Sequence, residues 1–255
     1  PNAASLPAEP GAIYADAIAG TTPLAIVARD RQIAAAATLC AHGGDPSARD
    51  STGASAHQVA VRVAAKEAEH RSPTQGDVVR HQNMARFLAP GGGCEALLAR
   101  KRRGETIADA EVQRIANESE CAAGWGWACG QAGWAFDSGE GAPKDEARAL
   151  ALFRKGCGDV LTKSTWCCGM VGIYHVEGTT VPKDPVEGAR WLARGCEPPE
   201  ARHADAQSCG RLGLLYAEGK GLAKDLGRAR ALFRKACDGK YESACANATK
   251  YAAAN

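Results

Sequence analysis

CGRLGLLYAEGKGLAKDLGRARALFRKAC, residues 209–237, decides the fold because the chain writes it three times. Its counterparts are CGQAGWAFDSGEGAPKDEARALALFRKGC at 129–157 and CGMVGIYHVEGTTVPKDPVEGARWLARGC at 168–196, aligned without a gap. In each, the first Cys precedes the Lys of a Lys-Asp pair by 15 residues and that Lys precedes the last Cys by 13; the starts fall 39 and 41 apart. Self-similarity at one period marks stacked supersecondary units. Each unit reads as helix, tight loop, helix. Gly139-Glu140-Gly141 and Gly219-Lys220-Gly221 supply loop glycines that end a helix at positive φ. Asp145, Asp184 and Asp225 are expected to cap the second helix, and Ala149-Leu150-Ala151-Leu152-Phe153-Arg154-Lys155 gives that helix an apolar stripe and a basic last turn. The second unit departs from the pattern at Thr180, at His175 and at Pro185, so its hairpin is expected to be distorted.

Composition agrees with an all-α chain. The 255 residues are 45% hydrophobic but only 5% aromatic, and no Val/Ile-rich continuous strand of the parallel-sheet kind occurs. Lys and Arg number 31 against 29 acids, too even a balance to imply a nucleic-acid partner. No apolar run reaches the about 18 residues that a membrane span needs.

The three units resemble the Sel1-like repeat family, in particular its cysteine-rich secreted bacterial branch, from about Ser119 to the C-terminus. Upstream, Gly20-Thr21-Thr22-Pro23-Leu24-Ala25 opens a helix through Ala28, Ile33–Ala41 makes a second, and His42-Gly43-Gly44-Asp45-Pro46 follows. Gly53, in the next turn, comes 33 residues after Gly20. This stretch resembles ankyrin repeats, with a degraded second unit at Ala54-Ser55-Ala56-His57. The fold expected is therefore an α/α solenoid: a loose tail at 1–11, ankyrin-like repeats at 12–94, a helical connector at 95–120, and disulfide-linked Sel1-like, tetratricopeptide-like hairpins with a C-terminal capping helix at 121–255. Gly104 should break the connector, with Thr106 or Asp109 capping its second helix.

Eleven cysteines without zinc-type CxxC pairs argue for disulfides and an oxidising compartment. The chain is expected to be exported to the periplasm with its signal peptide removed. Two pairing schemes compete. One joins Cys121–Cys129, Cys157 with Cys167 or Cys168 (Cys157–Cys168 preferred), Cys196–Cys209 and Cys237–Cys245, tying each helix end to the next helix start. The other joins cysteines 28 apart within each unit (129–157, 168–196, 209–237), whose ends an antiparallel hairpin also brings together. The resemblance to the cysteine-rich Sel1-like branch favours the first. Cys40–Cys94 would pair in the ankyrin-like part, leaving one of the adjacent Cys167 and Cys168 over.

Signals of catalysis or metal binding are lacking. The six histidines show no HExxH or other ligand spacing. His57 occupies the histidine slot of the ankyrin-like opening, where it should bond structurally, and His175 reads as a packed substitute for an aromatic. No phosphate loop or GxSxG elbow occurs. Some cysteine-rich Sel1-like proteins are linked to penicillin binding or β-lactam hydrolysis, yet no lysine here has Ser three positions before it. The expectation is a non-enzyme without metal or cofactor.

The repeat faces say more. Gly133 and Phe136, with Gly172/His175 and Gly213/Tyr216, should face the partner helix, the glycine admitting its close approach. On the opposite side run Trp127, Gly130, Trp134 and Asp137; then Trp166, Gly169, Ile173 and Glu177; then Gln207, Gly210, Leu214 and Glu218. In tetratricopeptide-like stacks, which these repeats resemble, this side lines the concave groove. Large apolar residues rimmed by acids suggest a protein-binding surface, with Trp as anchor. The ankyrin-like turn Asp50-Ser51-Thr52 is a second contact expected. The resemblance implies a partner protein, specifically a toxic envelope-acting effector enzyme that the chain neutralises as an immunity protein. A cell-wall ligand-binding protein or β-lactamase-like enzyme, and an assembly adaptor, are the alternatives.

Overall fold

In the computed structural model, residues 22–29, 32–68, 75–158, 162–198 and 204–252 are described; the tail expected at 1–11 lies outside them. Among these residues thirteen helices occur, and β-pairing is limited to isolated bridges. The chain divides after Ala123 into two compact units.

The N-terminal unit contains α1 (Pro23–Arg29), α2 (Ile33–Ala41), α3 (Ala56–Ala68), α4 (Gln75–Leu88), α5 (Gly93–Arg102) and α6 (Asp109–Ala122). Leu24, Val27, Ile33, Met84, Phe87 and Leu88 form its core. Leu97, Val112 and Ala116, from the stretch read as a connector, lie in that same core. Gly104, at φ 78°, ends α5 as expected. Arg100 then clasps Glu105 and Glu111 at 2.7 and 2.6 Å and fixes the turn into α6. Neither Thr106 nor Asp109 caps α6: Ala108 holds that position, without a side-chain bond, and Asp109 begins the helix. Cys40 of α2 is bonded to Cys94 of α5.

The C-terminal unit contains α7 (Gly126–Ser138), α8 (Glu146–Cys157), α9 (Thr165–Glu177), α10 (Pro185–Cys196), α11 (Ala206–Glu218), α12 (Leu226–Asp238) and α13 (Glu242–Ala252). Asp145, Asp184 and Asp225 each accept backbone N–H bonds at the start of the second helix of their hairpin. Asp225→Ala should cost about 1 kcal/mol, read as a lowered urea midpoint; Asp225→Ser, which keeps an acceptor, should recover most of it. If the alanine variant unfolds like the parent, the cap contributes nothing.

The second hairpin is not distorted. Its helices match the lengths of α7 and α8, and Pro185 takes the first helical turn, where a missing N–H does no harm. Gly172 faces Gly188, where an added Cβ would come within 3.0 Å of the Gly172 carbonyl, so α9 and α10 lie close. At the corresponding place in the other hairpins Gly133 admits Phe153 and Gly213 admits Phe233, each ring atom 2.8 Å from where a Cβ would sit.

Disulfides and small residues join the hairpins. Cys157–Cys168, Cys196–Cys209 and Cys237–Cys245 link successive helices across their connections, so the scheme with pairs 28 apart does not occur. Cys121 and Cys129 are both disulfide-bonded. Beside each linking cysteine a small residue enters a notch in the preceding hairpin: Cys167 against Gly130 and Gly156, Ser208 against Gly169 and Gly195, and Ala244 against Gly210. Thus α13 repeats the docking of a first helix.

Candidate functional site

Helices α7, α9 and α11 pack on one another in order, whereas α8, α10 and α12 mainly meet those first helices. The first helices therefore form one layer of this unit, and the side of it expected from the sequence to be a groove carries the residues named for it. On it the structure gathers two groups.

The first group is aromatic. Trp166, half-buried, lies 5.6 Å from Trp127 and 6.4 Å from Trp134 between ring centroids, tilted 44° and 48°. It rests on Gly130, where any Cβ would meet its ring. Phe153 supports it edge-on at 5.9 Å. Trp127 and Trp134 stand 61% and 44% exposed. Trp191 of α10 is half-buried against the core that Phe153 and Tyr174 share.

The second group lines an open pocket of about 240 Å³ that includes Ile173, Glu177, Leu214 and Glu218 together with Leu192 and Arg211. The acids of the rim are not bare. Glu177 meets Arg211 at 3.5 Å and Glu218 meets Lys220 at 2.8 Å. Asp137 accepts the hydroxyl of Tyr174 in the next hairpin. Burial, and then the Asp137 carboxylate, holds the Tyr174 hydroxyl far above its ordinary pKa, which keeps it a donor. Gln207 is half-buried on α11.

Tyr174 is a residue the sequence reading passed over. It occupies the repeat position of Ala135 and Leu215, and its size there is the one signal available. Arg211 was likewise missed; its Nε is buried without a hydrogen-bond partner.

Cys167 is the leftover cysteine. It is free and buried, and its thiol donates toward the Gly126 carbonyl at 3.4 Å. Burial pushes its pKa up to about 11, so at neutral pH it is a protonated packing group rather than a thiolate nucleophile. His175 touches Arg154, Nε2 to guanidinium 3.3 Å. His57 bonds through Nδ1 to the Ala85 carbonyl at 2.9 Å, binding α3 to α4. Among the described residues no group of three His, Cys, Asp or Glu could hold a metal, and no helix is long and apolar enough to cross a membrane.

In the N-terminal unit, Ser51 and Thr52 are exposed at the tip of their turn. Asp50 spends its carboxylate inside that turn, accepting from the Thr52 hydroxyl at 2.6 Å, the Thr52 N–H at 2.8 Å and the Ala54 N–H at 3.0 Å. The Thr52 hydroxyl bond, with the Ala54 N–H next, holds its pKa below the usual carboxylate range. Its role is to shape the tip that Ser51 and Thr52 present.

Residues 128–157, 167–197 and 206–241 each match the Sel1 repeat family. Among solved structures, the chain is similar to a Sel1 repeat protein from Oxalobacter formigenes, 18% identical with a TM-score of 0.47 over 84% of this chain and 74% of that one. It is also similar to a protective antigen of uropathogenic Escherichia coli strains displaying an SLR fold, 18% identical with a TM-score of 0.32 over 74% of this chain. The chain spans about half of that antigen, 47% of its length. No curated protein matches. The chain carries Sel1 repeats, which mediate protein–protein interaction, and the disulfides between its helices suit an extracytoplasmic, oxidising setting.

Proposed function

We propose that the Sel1 repeats of this chain grip one protein partner in the periplasm, and that the partner is a toxic envelope-acting enzyme which the chain neutralises by covering it. The observation that carries this reading is the Trp127–Trp134–Trp166 cluster: two large aromatics stand open to solvent on the first-helix layer of a stapled, preorganised scaffold. Exposed tryptophans on a rigid surface are the residues that dominate binding energy when a partner covers them. The pocket beside them, with Ile173 and Leu214 between the Glu177 and Glu218 pairs, extends the surface along the stack. The neutralising role is the one expected from the resemblance to secreted cysteine-rich repeat proteins. In the N-terminal unit, two helix pairs flank the turn built on Asp50; this arrangement supports an ankyrin-like reading in which Ser51 and Thr52 add a second contact.

The test is to capture the partner from an envelope extract with the full chain, identify it, and titrate its hydrolytic activity. Activity should fall to near zero at one equivalent. Trp134→Ala should weaken inhibition by about 30-fold or more, the equivalent of about 2 kcal/mol for a central anchor. A captured enzyme that works undiminished at saturation, or inhibition indifferent to both Trp127→Ala and Trp134→Ala, would refute this assignment of partner and face.

A further inference from the structure

Several of the chain's aromatic faces carry the chain's own cations. The Arg148 guanidinium lies 4.1 Å over the Phe136 ring, Arg194 lies 4.5 Å over Trp191, and Arg228 lies 4.7 Å over Tyr216. The Trp127–Trp134–Trp166 cluster is different: its rings meet one another and Phe153, and no described cation of the chain covers them. Charge is layered in the same sense. The second helices α8, α10 and α12 carry nine Lys and Arg against Glu146, Glu187 and Asp238. The first helices carry Asp137, Glu177 and Glu218 against Arg211 alone.

We infer that the exposed indoles of Trp127 and Trp134, with Trp166 touching both, receive a basic side chain of the bound protein, an arginine above all. The inference rests on the reading of this face as the partner surface and names the chemistry that fits it. Trp127 and Trp134 stand seven residues apart on α7, about 10 Å along the axis, with Trp166 touching both. Indole faces attract cations more strongly than other aromatic rings do, and a planar guanidinium stacks on them where an ammonium does not. Asp137, one turn beyond Trp134, supplies the counter-charge. Its Oδ1 takes the Tyr174 hydroxyl, and no described donor bonds Oδ2. Lys144, the cation that feels Asp137 through space, has its ammonium on Glu146 at 2.7 Å. The layering sends a basic segment to the first helices and repels it from the second ones.

The experiment titrates the full chain with the peptide acetyl-Ala-Ala-Arg-Ala-Ala-amide and with its citrulline counterpart, which keeps the shape and loses the charge. The five tryptophan indole N–H signals, assigned by single substitution, are followed by NMR. The arginine peptide should move the Trp127 and Trp134 signals with a millimolar dissociation constant. Citrulline should bind about threefold or more weakly, added salt should narrow the difference, and Trp191, which already has its guanidinium, should stay still. Asp137→Asn, whose amide oxygen still accepts the Tyr174 hydroxyl, should weaken the arginine peptide while the circular dichroism spectrum shows the chain still folded. Equal binding of the two peptides, shifts confined to Trp191 or Trp125, or no shift in the millimolar range overturns the proposal. If the captured enzyme is still inhibited while the arginine peptide is silent, only the cation is rejected. If the peptide shifts these indoles while no partner is captured, only the partner reading is rejected.

Discussion

Cys40→Ala/Cys94→Ala in the full chain is expected to lower the stability of the N-terminal unit by about 4 kcal/mol. The bond closes a loop 54 residues long, and cross-linking so long a loop removes much conformational freedom from the unfolded chain. The staples of the C-terminal unit close loops of only 11, 13 and 8 residues, for which the same relation gives about 2.5–3 kcal/mol each. Against a total stability of about 5–15 kcal/mol for a typical domain, loss of the Cys40–Cys94 bond is severe and loss of a single short staple is survivable. Both cysteines are fully buried between α2 and α5, so packing adds to the effect rather than offsetting it. Urea unfolding of the paired-alanine variants, followed by circular dichroism, measures the order. If removing Cys237 and Cys245 costs as much as removing Cys40 and Cys94, loop length does not govern these bonds.

What could be read from the sequence is whatever repeats at fixed spacing. The Cys and Lys-Asp register placed three hairpins, their Asp caps, their close-approach glycines and the helix-to-helix sense of the disulfides, because each depends on neighbours within one or two turns or one loop. Residues whose role comes from stacking one unit on the next were not legible. Cys167 looked like a spare thiol; its position is held by Ala128 and Ser208 in the other units, and the notch it fills is lined by Gly130 and Gly156 of the preceding hairpin. The bond from Tyr174 to Asp137 joins residues 37 apart, and Asp137 alone read as a free rim acid. Residues 95–120 were expected to be a helical connector broken at Gly104. The few apolar side chains among them, Leu97, Val112 and Ala116, suffice to seat α5 and α6 in a core, while Arg100 absorbs two of the acids. The three tryptophans were visible as a stripe; that Trp166 lies on Gly130 and touches both Trp127 and Trp134 depends on how one hairpin stacks on the next.

Phe153→Ala should cost about 3–5 kcal/mol, the range for emptying a filled aromatic site, and should also disable the tryptophan surface. Phe153 has no exposure. Its ring lies over Gly133 and meets Trp166 and Tyr174 edge-on at 5.9 and 6.1 Å, so its removal leaves Trp166 without the prop beneath it and loosens the Tyr174 hydroxyl on Asp137. Phe233→Ala is the matched control. Phe233 is equally buried, lies over Gly213 in the same way, and stacks on Tyr251 at 5.4 Å, but no tryptophan rests on it. The two variants should therefore lose similar stability in urea. At a temperature where both remain folded, Phe153→Ala alone should lose inhibition of the captured enzyme and the indole shifts of Trp127 and Trp134. Equal loss of binding in both variants would mean that the surface depends on the rigidity of the whole stack rather than on the support Phe153 gives Trp166. Equal retention would mean that Trp166 keeps its place without Phe153, held by Gly130 and its two tryptophan neighbours.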